Sequence, residues 1–275
     1  MERDKGGVGM TSVSIIIPCR NRAKNISKCI ASILKQGYKD YEIIVCDYGG
    51  GDKTEEILKR FNDERIRYIH IAQYGRWNLS RARNIGIRES KGELILSLDA
   101  DMLLGERVLE ELWDYFKEHG KKFIYQIQRT NIKEDGTFES MPVNTFLGDF
   151  QATHRDNFFK VRGFDEKLDM YGYEDLDIVV RLGRIGVKQY WLPNLKLYHQ
   201  WHPMSPGNET YINMIRSKLN RSHLANDKNW GSSIPKGDDK RYLDRFLIWA
   251  VIKPIKAIKK GLRLLKSSHK PLNSQ

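Results

Sequence analysis

The chain is poor in cysteine and has no apolar run long enough to cross a bilayer. Cys19, Cys29 and Cys46 are odd in number, and no two have C-x-x-C spacing. That argues against a disulfide framework or a cysteine zinc site. They read as small buried apolar residues in a reducing compartment. The longest apolar candidate, Phe246 to Ile252, falls far short of the ~20 residues a spanning helix needs. Met1 to Met10 mixes both charge signs with glycine and lacks the apolar stretch of a secretory leader. The expected location is cytoplasmic.

What is present is enough to build a core. Hydrophobic residues make up 40% and charged residues 30% of 275, a globular rather than a disordered composition. The net charge of +12 is unevenly placed, because eleven basic and three acidic residues lie from Lys236 onward. The basicity is therefore a local device and not a property of the fold.

The first half alternates between two periods. Val13 to Ile17 and Tyr41 to Cys46 are short apolar runs that read as buried strands, and Arg67 to Ile71 and Glu93 to Leu98 read as a third and a fourth strand. Between them, Asn25 to Gln36, Asp52 or Thr54 to Phe61, and Ser80 to Ser90 read as helices. This order predicts an α/β fold with a parallel sheet flanked by helices. Ligands of such sheets bind at the carboxyl ends of the strands. Arg20 and Asn21, Asp47, and Asp99 with Asp101 fall there. Further on, helices are expected at Val108 to His119, Asp175 to Gly186 and Tyr211 to Leu224. Strands are expected at Phe123 to Gln128, Gln189 to Leu192 and Lys196 to Tyr198. Gly163 to Tyr173 reads as a site loop, and the choice of substrate is expected to depend on loop shape around Phe146 to His154 and Asp165 to Tyr173.

Asp99-Ala100-Asp101 carries the first chemistry. At the end of an extended strand, alternate side chains share a face, so both carboxylates can meet one cation. Oxygen ligands suit Mg²⁺ or Mn²⁺, and a cation there offsets the charge of a diphosphate leaving group. Asp47 can accept a hydrogen bond from a base N–H, or serve as a turn aspartate. Glu174-Asp175 with Asp177 can raise one another's pKa and supply a general base, or form the acidic first turn of a helix. Asp177 has ion-pair spacing to Arg181 and is the expected structural member. His199 and His202 lie near a strand end and are candidate metal ligands.

Taken together, these residues resemble the family 2 inverting glycosyltransferases of GT-A fold, from about Thr11 to Pro203. VSIIIPCRNR resembles the family's opening strand and polar loop, and VCDYGGGD its V-D-D-G-S-T-D stretch. LSRARNIG resembles its A-R-N-x-G helix, and LDAD its metal motif. Arg162 to Glu166 and Gly172 to Asp177 resemble its G-F-D-E and E-D-x-D region. That region is shared with galactosyl- and N-acetylgalactosaminyltransferases and chondroitin-type polymerases.

The resemblance implies a UDP-sugar donor, a Mn²⁺ or Mg²⁺ cofactor and a glycan or lipid-linked acceptor. It places Pro18, Arg20, Asn21, Arg22, Asp47, Tyr48, Arg83, Asp99 and Ala100 at the donor, with Asp47 on uracil. It makes Asp101 a direct metal ligand, assigns Asp99 to ribose or metal, and gives the metal histidine as His199, with His202 the fallback. Asp175 becomes the base and Glu174 a partner of sugar hydroxyls. Tyr48 stands where the family has a second aspartate, and its ring could stack on the base. Gly50-Gly51 replace Ser-Thr.

The GT-A domain is expected over residues 11–230, with a linker and basic tail over 231–275. Leu243, Phe246, Leu247, Ala250, Val251, Ile255, Ile258, Leu262 and Leu265 give the tail an apolar stripe, interrupted at Pro254. With Trp249 and its lysines it reads as a segment for the membrane's inner surface, the alternative being a helix packed on the domain. Two rival readings are weaker. A sugar-nucleotide nucleotidyltransferase would want glycines in the first loop, which Cys19-Arg20-Asn21-Arg22 lacks. A basic nucleic-acid-binding protein leaves the acidic set unexplained, so no nucleic-acid partner is expected.

Overall fold

A computed structural model describes residues 11–72, 77–142, 148–203 and 210–232. One compact unit runs to Ser233. Residues 234–275 form a second unit outside the described residues, so the expected linker beyond Ser232 and the membrane-surface tail lie outside them too. No helix among the described residues is long and apolar enough to cross a membrane.

The elements follow in the order β1 Val13–Cys19, α1 Ala23–Leu34, β2 Tyr41–Tyr48, α2 Thr54–Arg60, β3 Ile66–Ile71, α3 Leu79–Glu89 and β4 Leu94–Leu98. Then come β5 Met102–Leu104, α4 Val108–His119, β6 Phe123–Gln126, β7 Arg129–Ile132, β8 Phe138–Ser140, β9 Phe150–His154 and α5 Arg155–Val161. The last are α6 Glu174–Gly183, β10 Lys188–Trp191, β11 Leu197–His199 and α7 Thr210–Leu219.

Seven strands form one sheet in the order β10-β6-β9-β4-β1-β2-β3. Every residue of β1 and β2 is buried, because helices cover both faces. Alternation divides the sheet between two cores. Ile15, Ile17, Ile43 and Val45 pack with Ile26, Ile30 and Ile33 of α1 and Leu109 and Leu112 of α4. Ile16, Ile44, Cys46 and Ile95 pack with Ala82 and Ile85 of α3 and with Phe158, Ile178 and Trp230. β1 continues through Pro18 at no loss to β4, because their pairing ends at Ile16↔Ser97.

Phe150–His154 departs from the expected loop over Phe146 to His154. It is β9, which pairs antiparallel with both β4 and β6 in the middle of the sheet. Its Gln151 and Thr153 are fully buried, which hides the strand from an apolar pattern. They are paired internally: Gln151 Nε2 donates to Asp175 O at 3.0 Å and Thr153 Oγ1 to Phe123 O at 2.7 Å.

A second sheet, ordered β5-β11-β7-β8, stands beside the carboxyl end of β4. β5 begins just after Asp101 and runs antiparallel to β11, with His199 opposite Met102.

Candidate functional site

Asp99, Ala100 and Asp101 do not continue β4 as an extended strand. Met102 N donates to Asp99 O at 3.1 Å, so the segment is a turn. That overturns the expectation of two carboxylates on one strand face, and the two take different partners. Asp99 Oδ1 accepts from Arg83 Nη2 at 2.7 Å. Asp101 Oδ2 lies 3.0 Å from His202 Nε2, and Oδ1 lies 3.8 Å from His199 Nε2. The Ala100 side chain belongs to the first core, so it can offer a ligand only its backbone.

Asp101, His199 and His202 each turn one ligand atom inward, and these atoms lie within 4.8 Å of one another. The small sheet brings them together, since Gln200 N donates to Asp101 O at 2.9 Å beside the His199↔Met102 pair. Arg22 Nε stands 3.8 Å from Asp101 Oδ2. Burial pushes the Asp101 carboxyl up, but the His202 bond and the charges of His199, His202 and Arg22 outweigh it and hold it below its ordinary value. Burial lowers His199, and the bond to Asp101 raises His202. One carboxylate and two imidazoles form a donor set that fits a divalent cation. Asp99 stands outside that group, because Arg83 holds it.

Arg83 joins the two halves of the site. It is 1% exposed, and Nη1 reaches Glu174 Oε1 at 3.3 Å while Nη2 holds Asp99. Its helix can come this close because position 86 is glycine. A Cβ there would lie 2.4 Å from Ile16 Cγ2 and 2.9 Å from Cys46 Sγ. Glu174 is also buried, and its Oε2 accepts from Gly172 N at 2.9 Å. Glu174 thus anchors Arg83 through one oxygen and the Gly172 N–H through the other.

Tyr173, at φ 77°, turns the chain into α6 and puts Glu174 and Asp175 in its first turn. Burial and the Glu174 charge push the Asp175 carboxyl up to about 7, against Arg83 and the Leu176 N–H. Asp177 is structural, as its spacing predicts. Arg181 Nε donates to its Oδ2 at 2.7 Å and Ser217 Oγ to its Oδ1 at 2.5 Å.

Asp47, next to last in β2, has both oxygens in use. Gly50 N donates to Oδ1 at 3.0 Å and Tyr68 Oη to Oδ2 at 2.8 Å. Asn21 Oδ1 accepts from Gly51 N at 3.0 Å, which ties the loop after β1 to the loop after β2. Arg20 and Arg22 flank it on that first loop, and Pro18 is buried within β1. Tyr48, whose ring was expected to offer a stacking face, is instead buried in the second core, edge-on to Trp77 with centroids 5.6 Å apart.

Sequence reasoning missed three residues here. Tyr68 sits on β3, a segment read only as a strand. Asp149 is buried, and its carbonyl accepts from Asp99 N at 3.1 Å. Arg129 Nη1 donates to Asp149 Oδ2 at 2.6 Å from a short polar strand without apolar signal. A Gly-Asp pair inside the expected selectivity loop was the one available hint.

A parallel-rich sheet with an acidic and histidine cluster at its carboxyl edge defines a GT-A fold. The chain belongs to the family described as "Glycosyl transferase family 2", whose model matches residues 14–170. Among curated proteins it is similar to "Glycosyltransferase GlyG" of Streptococcus pneumoniae, 32% identical over 128 residues, which cover 46% of this chain and 42% of GlyG. The match thus spans less than half of that relative. Among solved structures, TarS 1-349 of S. aureus in complex with UDP-GlcNAc shares the fold at TM-score 0.64 and 16% identity, covering 76% of this chain and 66% of that one. GalNAc-T7 with UDP, GalNAc and Mn2+ does so at TM-score 0.63 and 18% identity, covering 76% and 48%.

Proposed function

We propose that the protein transfers a sugar from a UDP-sugar to a hydroxyl of a glycan or lipid-linked acceptor, with inversion and with a divalent cation. The convergence of Asp101, His199 and His202 at the sheet's carboxyl edge carries this reading. A cation held by these three would offset charge on a departing diphosphate. Two imidazoles beside one carboxylate favour Mn²⁺ over Mg²⁺, which takes oxygen ligands. The fold likeness to structures that hold UDP, UDP-GlcNAc or Mn2+ supports the same donor and ion.

The chain's own residues divide the work. Asp47 accepts from the N–H of the base. Arg83 fixes Asp99 and Glu174 and thereby the entry of α6. Asp175, with its raised pKa, takes the proton from the acceptor hydroxyl. Attack on the anomeric carbon from the face opposite the diphosphate inverts it in one displacement. The tail over 231–275, which lies largely outside the described residues, would hold the enzyme at the inner membrane surface near a lipid-linked acceptor.

A panel of UDP-sugars, assayed for donor hydrolysis and thermal stabilisation with Mn²⁺ or EDTA, tests the reading. At least one donor is expected to be hydrolysed only with Mn²⁺. Stabilisation by no UDP compound under any metal condition would reject it.

A further inference from the structure

We propose that the Asp149–Arg129 pair selects the transferred sugar, and that the site takes a neutral sugar and rejects a uronate. This deepens the UDP-sugar reading above and rests on it.

The pair lies between the two chemical ends of the site. Arg129 is in register with Leu197 on β11, two residues before His199 of the cation group. Asp149 is fastened to Asp99 through its carbonyl. The residue before it, Gly148, closes on Asp175, since a Cβ there would sit 2.5 Å from Asp175 Oδ2. Asp149 is near enough to act electrostatically on Asp99, Asp175 and His199. A donor whose diphosphate meets the cation group and whose anomeric carbon faces Asp175 must lay its sugar across this middle ground.

The chemistry of the pair then sets what fits. Asp149 is 8% exposed and held by Arg129 at 2.6 Å, so its carboxylate is fixed in direction. A fixed carboxylate accepts from sugar hydroxyls or an amide N–H, and discriminates by their position on the ring. It also repels a second carboxylate. Asp99, Asp149, Glu174 and Asp175 already crowd this region, and Arg129 gives Nη1 to Asp149. A uronate would have to compete with Asp149 for Arg129 or lie close to the Asp149 carboxylate.

The test uses the full chain with Mn²⁺ and UDP-glucose, UDP-galactose, UDP-N-acetylglucosamine, UDP-N-acetylgalactosamine and UDP-glucuronate. Thermal stabilisation and donor hydrolysis are read for wild type, Asp149→Asn and Arg129→Lys. Wild type is expected to favour one neutral donor over UDP-glucuronate by about tenfold or more. Asp149→Asn is expected to keep stabilisation by UDP alone, reorder the neutral donors by about tenfold and narrow the gap to glucuronate. Arg129→Lys should shift preference in the same direction by less, and it decides the matter should Asp149→Asn not fold. Unchanged donor ranking in a variant that still binds UDP overturns the assignment, as does wild-type preference for UDP-glucuronate. Failure of UDP itself to stabilise wild type removes the donor reading, and this proposal with it.

Discussion

His202 Nε2 stands 3.0 Å from Asp101 Oδ2, and the small sheet, not the large one, brings them together. With His199 at 3.8 Å on the other oxygen, the carboxylate is flanked on both sides. Asp101→Ala should therefore remove cation-dependent stabilisation and transfer together. His202→Ala should weaken the cation by more than the roughly 10–100-fold loss usual for an outer partner of a metal ligand. Titration of Mn²⁺ by isothermal calorimetry reads both, and a His202→Ala chain that binds Mn²⁺ as wild type does would remove His202 from the ligand set.

The raised pKa of Asp175 gives a pH profile. A base must be deprotonated, so kcat/KM should rise with pH through about 7 and level off above it. The stability effect has the opposite sign. A carboxyl whose folded pKa exceeds its unfolded value binds the proton more tightly when folded, so stability falls as pH rises from about 4 towards 7. Asp175→Asn should cut transfer by roughly 10²–10⁴-fold. It should also raise Tm at pH 8 and leave Tm nearly unchanged at pH 4. Equal shifts at both pH values would contradict burial as the cause.

Tyr68 offers a separate handle on donor binding. Tyr68→Phe removes the hydroxyl at 2.8 Å from Asp47 Oδ2 and leaves the ring. A hydrogen bond to a charged group contributes about 1.5–3 kcal/mol to stability, so Tm should fall, and UDP affinity should fall with it if Tyr68 aims Asp47 at the base. Transfer at saturating donor should change far less. A loss confined to kcat would place Tyr68 elsewhere in the reaction.

Asp177 separates structure from chemistry within one acidic cluster. Asp177→Ala strands Arg181, which is 0% exposed, and breaking a buried pair costs about 3–5 kcal/mol. Chemical denaturation should show that loss, while the folded fraction keeps its donor preference. Wild-type stability would show that Arg181 finds other acceptors sufficient, such as Gly163 O at 2.8 Å.

The central strands and the helices between them were legible because both faces of β1 and β2 are covered, which forces continuous apolar runs. The amphipathic face of α1 and the whole of α4 were legible for a related reason, as each buries one stripe only. Asp47, Asp99, Asp101 and Asp175 could be located because strand ends and a helix start fix where a side chain emerges. β9 was not legible, since its buried Gln151 and Thr153 donate to carbonyls distant in sequence. Nor could local pattern tell that Asp99 and Asp101 part company, because a turn and the buried Arg83 decide it. Local pattern also could not show that His199 and His202 both come near Asp101, which follows from the pairing of β11 with β5. Sequence determined which chemical groups exist and near which element ends they fall. Tertiary structure alone decided their partners, because a hydrogen bond or ion pair depends on distances that strand order and helix packing set.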